Sequence, residues 1–169
     1  QQKSQFLTSM IDGRSTGTMA LTEPGQGSTL ADIKTSAHVN EGSSYLIRGQ
    51  KIYISNGDHG LSENIVHLVL ARIEGAPSGT RGISLFIVPK FLVNTDGTTG
   101  DRNDVALAGL LHKMGNKSAT STVLNFGENG GAIGYLVGEP NHGLRYMFQM
   151  MNDLRIGVGL GASALAYRG

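Results

Sequence analysis

The sequence predicts a mainly β protein, an antiparallel β-barrel or sandwich with a helical stub at each end. Three observations carry this. Six short apolar runs, Met19–Leu21, Tyr45–Ile47, Ile52–Ile54, Ile65–Ile73, Ile83–Val88 and Thr122–Phe126, are bounded by Gly, Pro, Asn or Ser, the pattern of strands and turns. Glycine is abundant, 25 of 169 residues, without a Gly-X-Y period. It falls between the apolar runs, where turns need positive φ. Helical spacing appears only near the two ends.

Taken in order, Phe6, Leu7, Met10 and Ile11 form one helical stripe, and Gly13 is a plausible stop. One short stripe cannot be a domain, so it is expected to belong to something upstream. Within the β region, Arg48-Gly49 between two runs predicts a tight hairpin, with Gly49 supplying positive φ. The polar stretch Val93–Asp104 reads as a surface loop. From residue 142 the pattern changes: Leu144, Met147, Met151, Leu154, Val158, Ala162 and Leu165 recur at steps of three and four, with Asn141 as N-cap. Arg145, Asp153 and Arg155 interrupt that run, so it is not a membrane span. The expected division is 1–16 as the tail of a helical unit, 17–138 as the β-domain, and 139–169 as the first helix of a further unit.

Charge and composition exclude several functions. Lys and Arg number 14 and Asp and Glu 13, a net charge of +1, with no footprint for nucleic acid or an anionic membrane. There is no cysteine, hence no disulfide framework and no thiolate metal site. With no secretory signal at the start, a reducing, cytoplasmic location is expected. The five histidines, His38, His59, His67, His112 and His142, form no short metal-ligand pair and read as surface or loop residues. Gly157-Val-Gly159-Leu-Gly161-Ala162 has the letters of a dinucleotide fingerprint, but a helical pattern precedes it where a strand is required.

Two stretches are informative. Met19-Ala-Leu-Thr-Glu-Pro-Gly-Gln-Gly-Ser28 is a β run entering a Gly-rich turn. Gly25 and Gly27 let backbone N–H groups approach a ligand, and Thr22 and Ser28 add hydroxyls. Read from residues alone, an ordinary structural turn has the same signature. Gly49-Gln-Lys-Ile-Tyr53-Ile54-Ser55-Asn56-Gly57 is a strand carrying an aromatic with a polar exit. Its plain reading puts Tyr53 in the core and Asn56-Gly57 in the turn.

Together, in this order and spacing, the two stretches resemble the acyl-CoA dehydrogenase family, whose middle domain carries Thr-Glu-Pro-x-x-Gly-Ser and then Gly-x-Lys-x-Trp/Tyr-Ile-Thr/Ser-Asn-Gly. The similarity continues through Ala71-Arg72, Gly82–Val88, Met114-Gly115, Val137-Gly138 and Leu154-Arg155. The resemblance implies a middle β-barrel between two helical domains. The long segment Phe91–Lys113 and its flanks look like the branch of 3-(methylthio)propanoyl-CoA dehydrogenases.

The resemblance further implies FAD. Met19, Leu21 and Thr22 would face the flavin, Leu21 and Thr22 at its pyrimidine edge. Gly27 and Ser28 would meet the pyrophosphate. Tyr53 would pack on the ring face, and Ile54 and Ser55 would approach the N5/O4 edge. Ser28, Ser78, Asn152 and Arg155 match places near the acyl-CoA substrate. The family's reaction takes an α-proton by a Glu while the β-hydrogen passes as hydride to the flavin. Some members carry that Glu where Leu154 stands here, so the base is expected beyond Gly169 and no catalytic residue is assigned within the chain. An electron-transfer flavoprotein as acceptor and a homo-oligomeric full-length protein are also implied, with no bound metal. An oxidase- or monooxygenase-like flavoprotein on the same scaffold is the near alternative. A cofactor-free β-sandwich binding module is the distant one.

Overall fold

The computed structural model describes residues 2–169. A π-helical turn, Lys3–Leu7, runs into helix α1, Thr8–Ile11. Phe6 anchors this segment by burying its ring against Tyr135, 5.8 Å between centroids. Gly13, at φ +73°, ends it as expected. Ten strands follow: β1 Ser15–Ala20, β2 Ser36–Val39, β3 Ser44–Ser55, β4 Asn64–Ile73, β5 Ile83–Pro89, β6 Phe91–Val93, β7 Thr99–Arg102, β8 Val105–Leu111, β9 Ser121–Phe126 and β10 Ala132–Leu136. Helix α2, Gly143–Arg168, closes the chain.

Pairing makes the barrel. β4 pairs with β5, β5 with β10, β10 with β3, β3 with β2, and β2 returns to β4. β1 joins the start of β4, and β9 and then β8 extend from β3. The ladders are antiparallel except β1–β4 and β2–β4, which are parallel. Closure removes free edges over the ring and encloses one interior. Ala37, Ile47, Ile54, Val69, Ala71, Phe86, Val88, Leu124 and Phe126 fill it.

The continuous apolar run of β4 has a physical cause. Val69 and Ala71 face the barrel interior, while Leu68 and Leu70 join a second cluster on the outside with Ile83, Leu85 and Met147 of α2. A strand covered on both faces loses the polar alternation of a half-exposed one. Met19, Leu21, Leu144, Met150 and Met151 complete this outer layer, so the helix sits against the strand that leads into the Thr22 turn.

Three local expectations are corrected. Arg48-Gly49 is not a hairpin: β3 runs unbroken for 12 residues. Gly49 has φ +153°, and a Cβ there would meet the Thr35 Oγ at 2.5 Å, so the close approach of the segment before β2, not chain reversal, requires glycine. Val93–Asp104 is not a plain loop, because β6 and β7 pair across it. Asn141 is not the helix cap. His142 precedes the helix without a side-chain cap, while the Asn141 N–H donates to Ser84 Oγ at 2.8 Å and ties the helix entry to β5.

The apolar stripe of α2 is only partly used. Met147 is buried and Leu144 and Met151 are half-buried, whereas every residue from Asn152 onward is exposed, Leu154, Val158 and Leu165 among them. Among the described residues, no helix is long and apolar enough to cross a membrane.

Candidate functional site

Glu23 and Gln26 exchange both backbone hydrogen bonds, at 3.1 and 2.9 Å, around a Pro24-Gly25 turn in which Gly25 takes φ +82°. The turn is locked by a buried ion pair. Lys51 comes inward from β3, fully buried, and its Nζ donates to Glu23 Oε1 at 2.9 Å and to the Leu21 carbonyl at 3.0 Å. Glu23 also accepts from the Thr35 hydroxyl at 2.5 Å, the Thr35 N–H at 3.0 Å and the Lys34 N–H at 2.6 Å. The Ile52 N–H donates to the Thr22 carbonyl at 2.9 Å. The two motif stretches are therefore one structural unit.

The same contacts set the charges. Burial raises the Glu23 pKa, but the Lys51 charge and the hydrogen bonds from Thr35 and Lys34 outweigh it and hold the carboxyl below its ordinary value. Burial pulls the Lys51 ammonium down to about 8, against the opposing pull of Glu23. Glu23 is thus an ionised structural carboxylate with its lone pairs committed.

Beyond Lys51 the strand changes phase. Lys51 pairs with Leu124 and Ile54 with Thr122, three steps on β3 against two on β9, which is a β-bulge. Ile47, Gly49 and Lys51 share the inward parity, and uninterrupted alternation would bury Tyr53 next. The extra residue sends Ile54 inward and turns Tyr53 out, at φ +63° and 65% exposed. A left-handed tyrosine carries strain of about 1–2 kcal/mol, and such strain concentrates at functional sites. The Ile54 carbonyl accepts from Thr122 Oγ at 2.9 Å, which fixes the bulge.

Between the bulge, β1 and α2 lies an open cleft of about 520 Å³, within the ligand-sized range. Met19, Leu21 and Thr22 form one wall, Tyr53, Ile54 and Ser55 another, and Met150, Met151 and Leu154 the third. The structure so brings together six of the eight residues expected at a flavin. Gly27 and Ser28 lie outside it, exposed on the continuing turn, with open space around Gly27. Ser78, Asn152 and Arg155 are exposed and do not line the cleft; Arg155 stacks on Phe148, 5.4 Å from its ring centroid. A cleft of equal volume along Asp58 and Arg102–Leu107 contains none of the motif residues.

Some of the site was not anticipated. The Glu23–Lys51 pair and the methionines of α2 belong to it, and the signal for Lys51 was its inward parity with Ile47. His67 is no surface residue. It is fully buried, shares a 2.7 Å hydrogen bond through Nδ1 with Thr18 Oγ, and burial pulls its pKa down to about 3, so its ring is neutral. Among the described residues, no group of His, Asp and Glu is arranged to hold a metal ion.

The described residues thus form a closed β-barrel domain with a ligand-sized cleft between a strained bulge and a packed helix. The model of the acyl-CoA dehydrogenase middle domain matches residues 18–128, and the chain belongs to the acyl-CoA dehydrogenase family. It is 48% identical over 167 residues to 3-methylmercaptopropionyl-CoA dehydrogenase of Ruegeria pomeroyi, covering 99% of this chain and 28% of that protein. It is 45% identical over 163 residues to a butyryl-CoA dehydrogenase of Syntrophomonas wolfei, covering 93% and 27%. The crystal structure of acyl-CoA dehydrogenase from Geobacillus kaustophilus superposes with a TM-score of 0.67 at 30% identity, over 88% of this chain and 35% of that one. The chain spans little more than a quarter of the length of these curated relatives.

Proposed function

We propose that this chain is the flavin-binding part of an enzyme that α,β-dehydrogenates acyl-CoA thioesters with FAD. One observation carries the reading: a single cleft unites Met19, Leu21, Thr22, Tyr53, Ile54 and Ser55. These residues fit a flat heterocycle with one polar edge. Thr22 and Ser55 supply hydroxyls, the exposed Tyr53 ring supplies a stacking face, and Met150 and Met151 supply an apolar wall. The unobstructed Gly27-Ser28 turn that continues from Thr22 suits a pyrophosphate. What FAD supplies when bound is a two-electron acceptor for hydride from the acyl chain.

The chain's own residues hold and polarise. The Thr22 hydroxyl and the Leu21 N–H offer hydrogen bonds where negative charge would grow, and the Glu23–Lys51 pair keeps that segment in place. Ser28, Ser78, Asn152 and Arg155 serve the substrate's CoA end and its approach. The α-proton needs a base that this cleft lacks. Leu154 has no proton acceptor, Glu23 is committed to Lys51, and no carboxylate among the described residues lines the cleft. The base therefore comes from outside residues 1–169.

Two of the relatives are named for butyryl and 3-methylmercaptopropionyl thioesters, which supply the test substrates. An electron-transfer flavoprotein is the proposed acceptor, and the full-length protein is proposed to be a cytoplasmic homo-oligomer. The test is anaerobic mixing of full-length protein with butyryl-CoA and 3-(methylthio)propanoyl-CoA. Bleaching of the visible flavin band by either supports the reading. A colourless protein, or a yellow one that neither thioester bleaches, overturns it.

A further inference from the structure

Thr122 is the polar member of an inward row. On β9 the side chains of Thr122, Leu124 and Phe126 are buried, and the last two belong to the barrel core. A valine would fill the same space, so packing alone does not call for the hydroxyl. Its Oγ donates to the Ile54 carbonyl at 2.9 Å, on the strand that bears the bulge. The neighbouring turn leaves room for it. A Cβ at Gly57 would clash with Thr122 Oγ and meet the Leu124 side chain at 3.0 Å.

The strand pairing fixes what faces the cleft. The Asn56 N–H donates to the Thr120 carbonyl at 2.8 Å. Alternation along an antiparallel pair then makes Ile54 and Thr122 the next hydrogen-bonded pair and turns the backbone of Ser55, opposite Ser121, away from β9. The Ile54–Ser55 peptide is trans, so its C=O and N–H point opposite ways. With the Ile54 carbonyl held toward β9, the Ser55 N–H leaves by the other edge of β3. β2 and β10 pair with β3 only between Ser44 and Arg48, so neither covers that edge at Ser55. The cleft does, and Ser55 lines it together with Leu21 and Thr22.

We propose that Thr122 is a positioning residue for the flavin: from the β9 side its hydroxyl fixes and polarises the Ile54–Ser55 peptide, so that the Ser55 N–H is held as a donor to the flavin's polar edge. Thr122 is fully buried and does not line the cleft, so it acts only through that peptide. Two donors on one carbonyl oxygen, the hydroxyl and the ladder N–H, strengthen the N–H in front. That N–H interacts more strongly as negative charge grows on reduction, so it favours the reduced form. The proposal rests on the flavin reading of the preceding section and adds a residue that sets the flavin's potential.

The test uses the full-length holoenzyme, wild type, Thr122→Val and Thr122→Ser, with the flavin midpoint potential read against a reference dye. Thr122→Val keeps the shape and loses the hydroxyl. It retains FAD but binds the reduced form about tenfold less well relative to the oxidised one, a two-electron potential lower by about 30 mV. Thr122→Ser keeps the hydroxyl and the wild-type potential. A merely structural role would lower stability and leave the potential where it is. A Thr122→Val potential equal to that of the wild type, or equal shifts in the valine and serine variants, overturns the proposal. A second measurement needs no variant. FAD added to the wild-type apoprotein slows exchange of the Ser55 amide, and an exchange rate that FAD leaves unchanged overturns the proposal. The same measurement decides the case in which Thr122→Val fails to fold or loses its flavin. A wild type that takes up no FAD overturns the flavin reading itself, whereas a flavin-loaded wild type with an unshifted valine variant overturns the role of Thr122 alone.

Discussion

Replacing Lys51 with methionine is expected to destabilise the barrel by about 3 kcal/mol. The side chain is fully buried and its partner Glu23 nearly so, so solvent screening gives little relief. Methionine fills the space and leaves a buried carboxylate without its counter-charge. Breaking a buried pair from one side costs roughly 3–5 kcal/mol. Glu23 keeps three donors, the Thr35 hydroxyl, the Thr35 N–H and the Lys34 N–H, which places the cost at the lower end. The Leu21 carbonyl also loses a donor. Against an ordinary stability of about 5–15 kcal/mol, the loss is large.

Urea denaturation followed by circular dichroism reads it as a lower midpoint at unchanged slope. The double variant Glu23→Gln/Lys51→Met recovers part of the loss, because no unpaired charge remains. A Lys51→Met cost below about 1 kcal/mol, the range of exposed pairs, would refute the argument. So would strictly additive single and double variants.

Three further outcomes are expected. The folded state holds Glu23 below its ordinary pKa, so the carboxylate's contribution is complete just above the ordinary glutamate range, where Lys51 is still charged, and is lost as pH falls through the folded value; acid titration of the Glu23→Gln/Lys51→Met variant shows a shallower loss. Tyr53→Gly relieves the left-handed backbone and raises stability by about 0.5–1 kcal/mol, yet weakens FAD binding, read by denaturation and flavin fluorescence titration. The 169-residue chain loaded with FAD shows no substrate-dependent bleaching with butyryl-CoA, because its cleft holds no base; bleaching at an enzyme-like rate would place the base within the chain.

The barrel was legible because short apolar runs with turn punctuation have one economical arrangement. What escaped was long-range. Arg48-Gly49 looks like a turn locally, but Gly49 answers to Thr35, a neighbour supplied by the segment just before β2. The bulge at Tyr53 was invisible because alternation carries no record of an unpaired residue, so the plain reading put that ring in the core. Lys51 was readable in principle, since its parity with Ile47 buries it and demands a carboxylate, but which carboxylate depended on the fold. His67 sits in an apolar run whose two covered faces hide which residues point inward. Ser78 and Arg155 matched the family by position alone, and nothing in local pattern says whether such residues reach a cleft.

The most direct test concerns where the flavin sits. Full-length wild type and the Thr22→Val/Tyr53→Ala double variant are purified side by side, their fold compared by circular dichroism, and the flavin per chain measured from the visible spectrum. The expected result is a yellow wild type and a folded double variant that has lost most of its FAD, because the cleft has lost a hydroxyl at its polar edge and its stacking face. A double variant as yellow as the wild type, with the same affinity for added FAD, would contradict placement of the flavin against Thr22 and Tyr53.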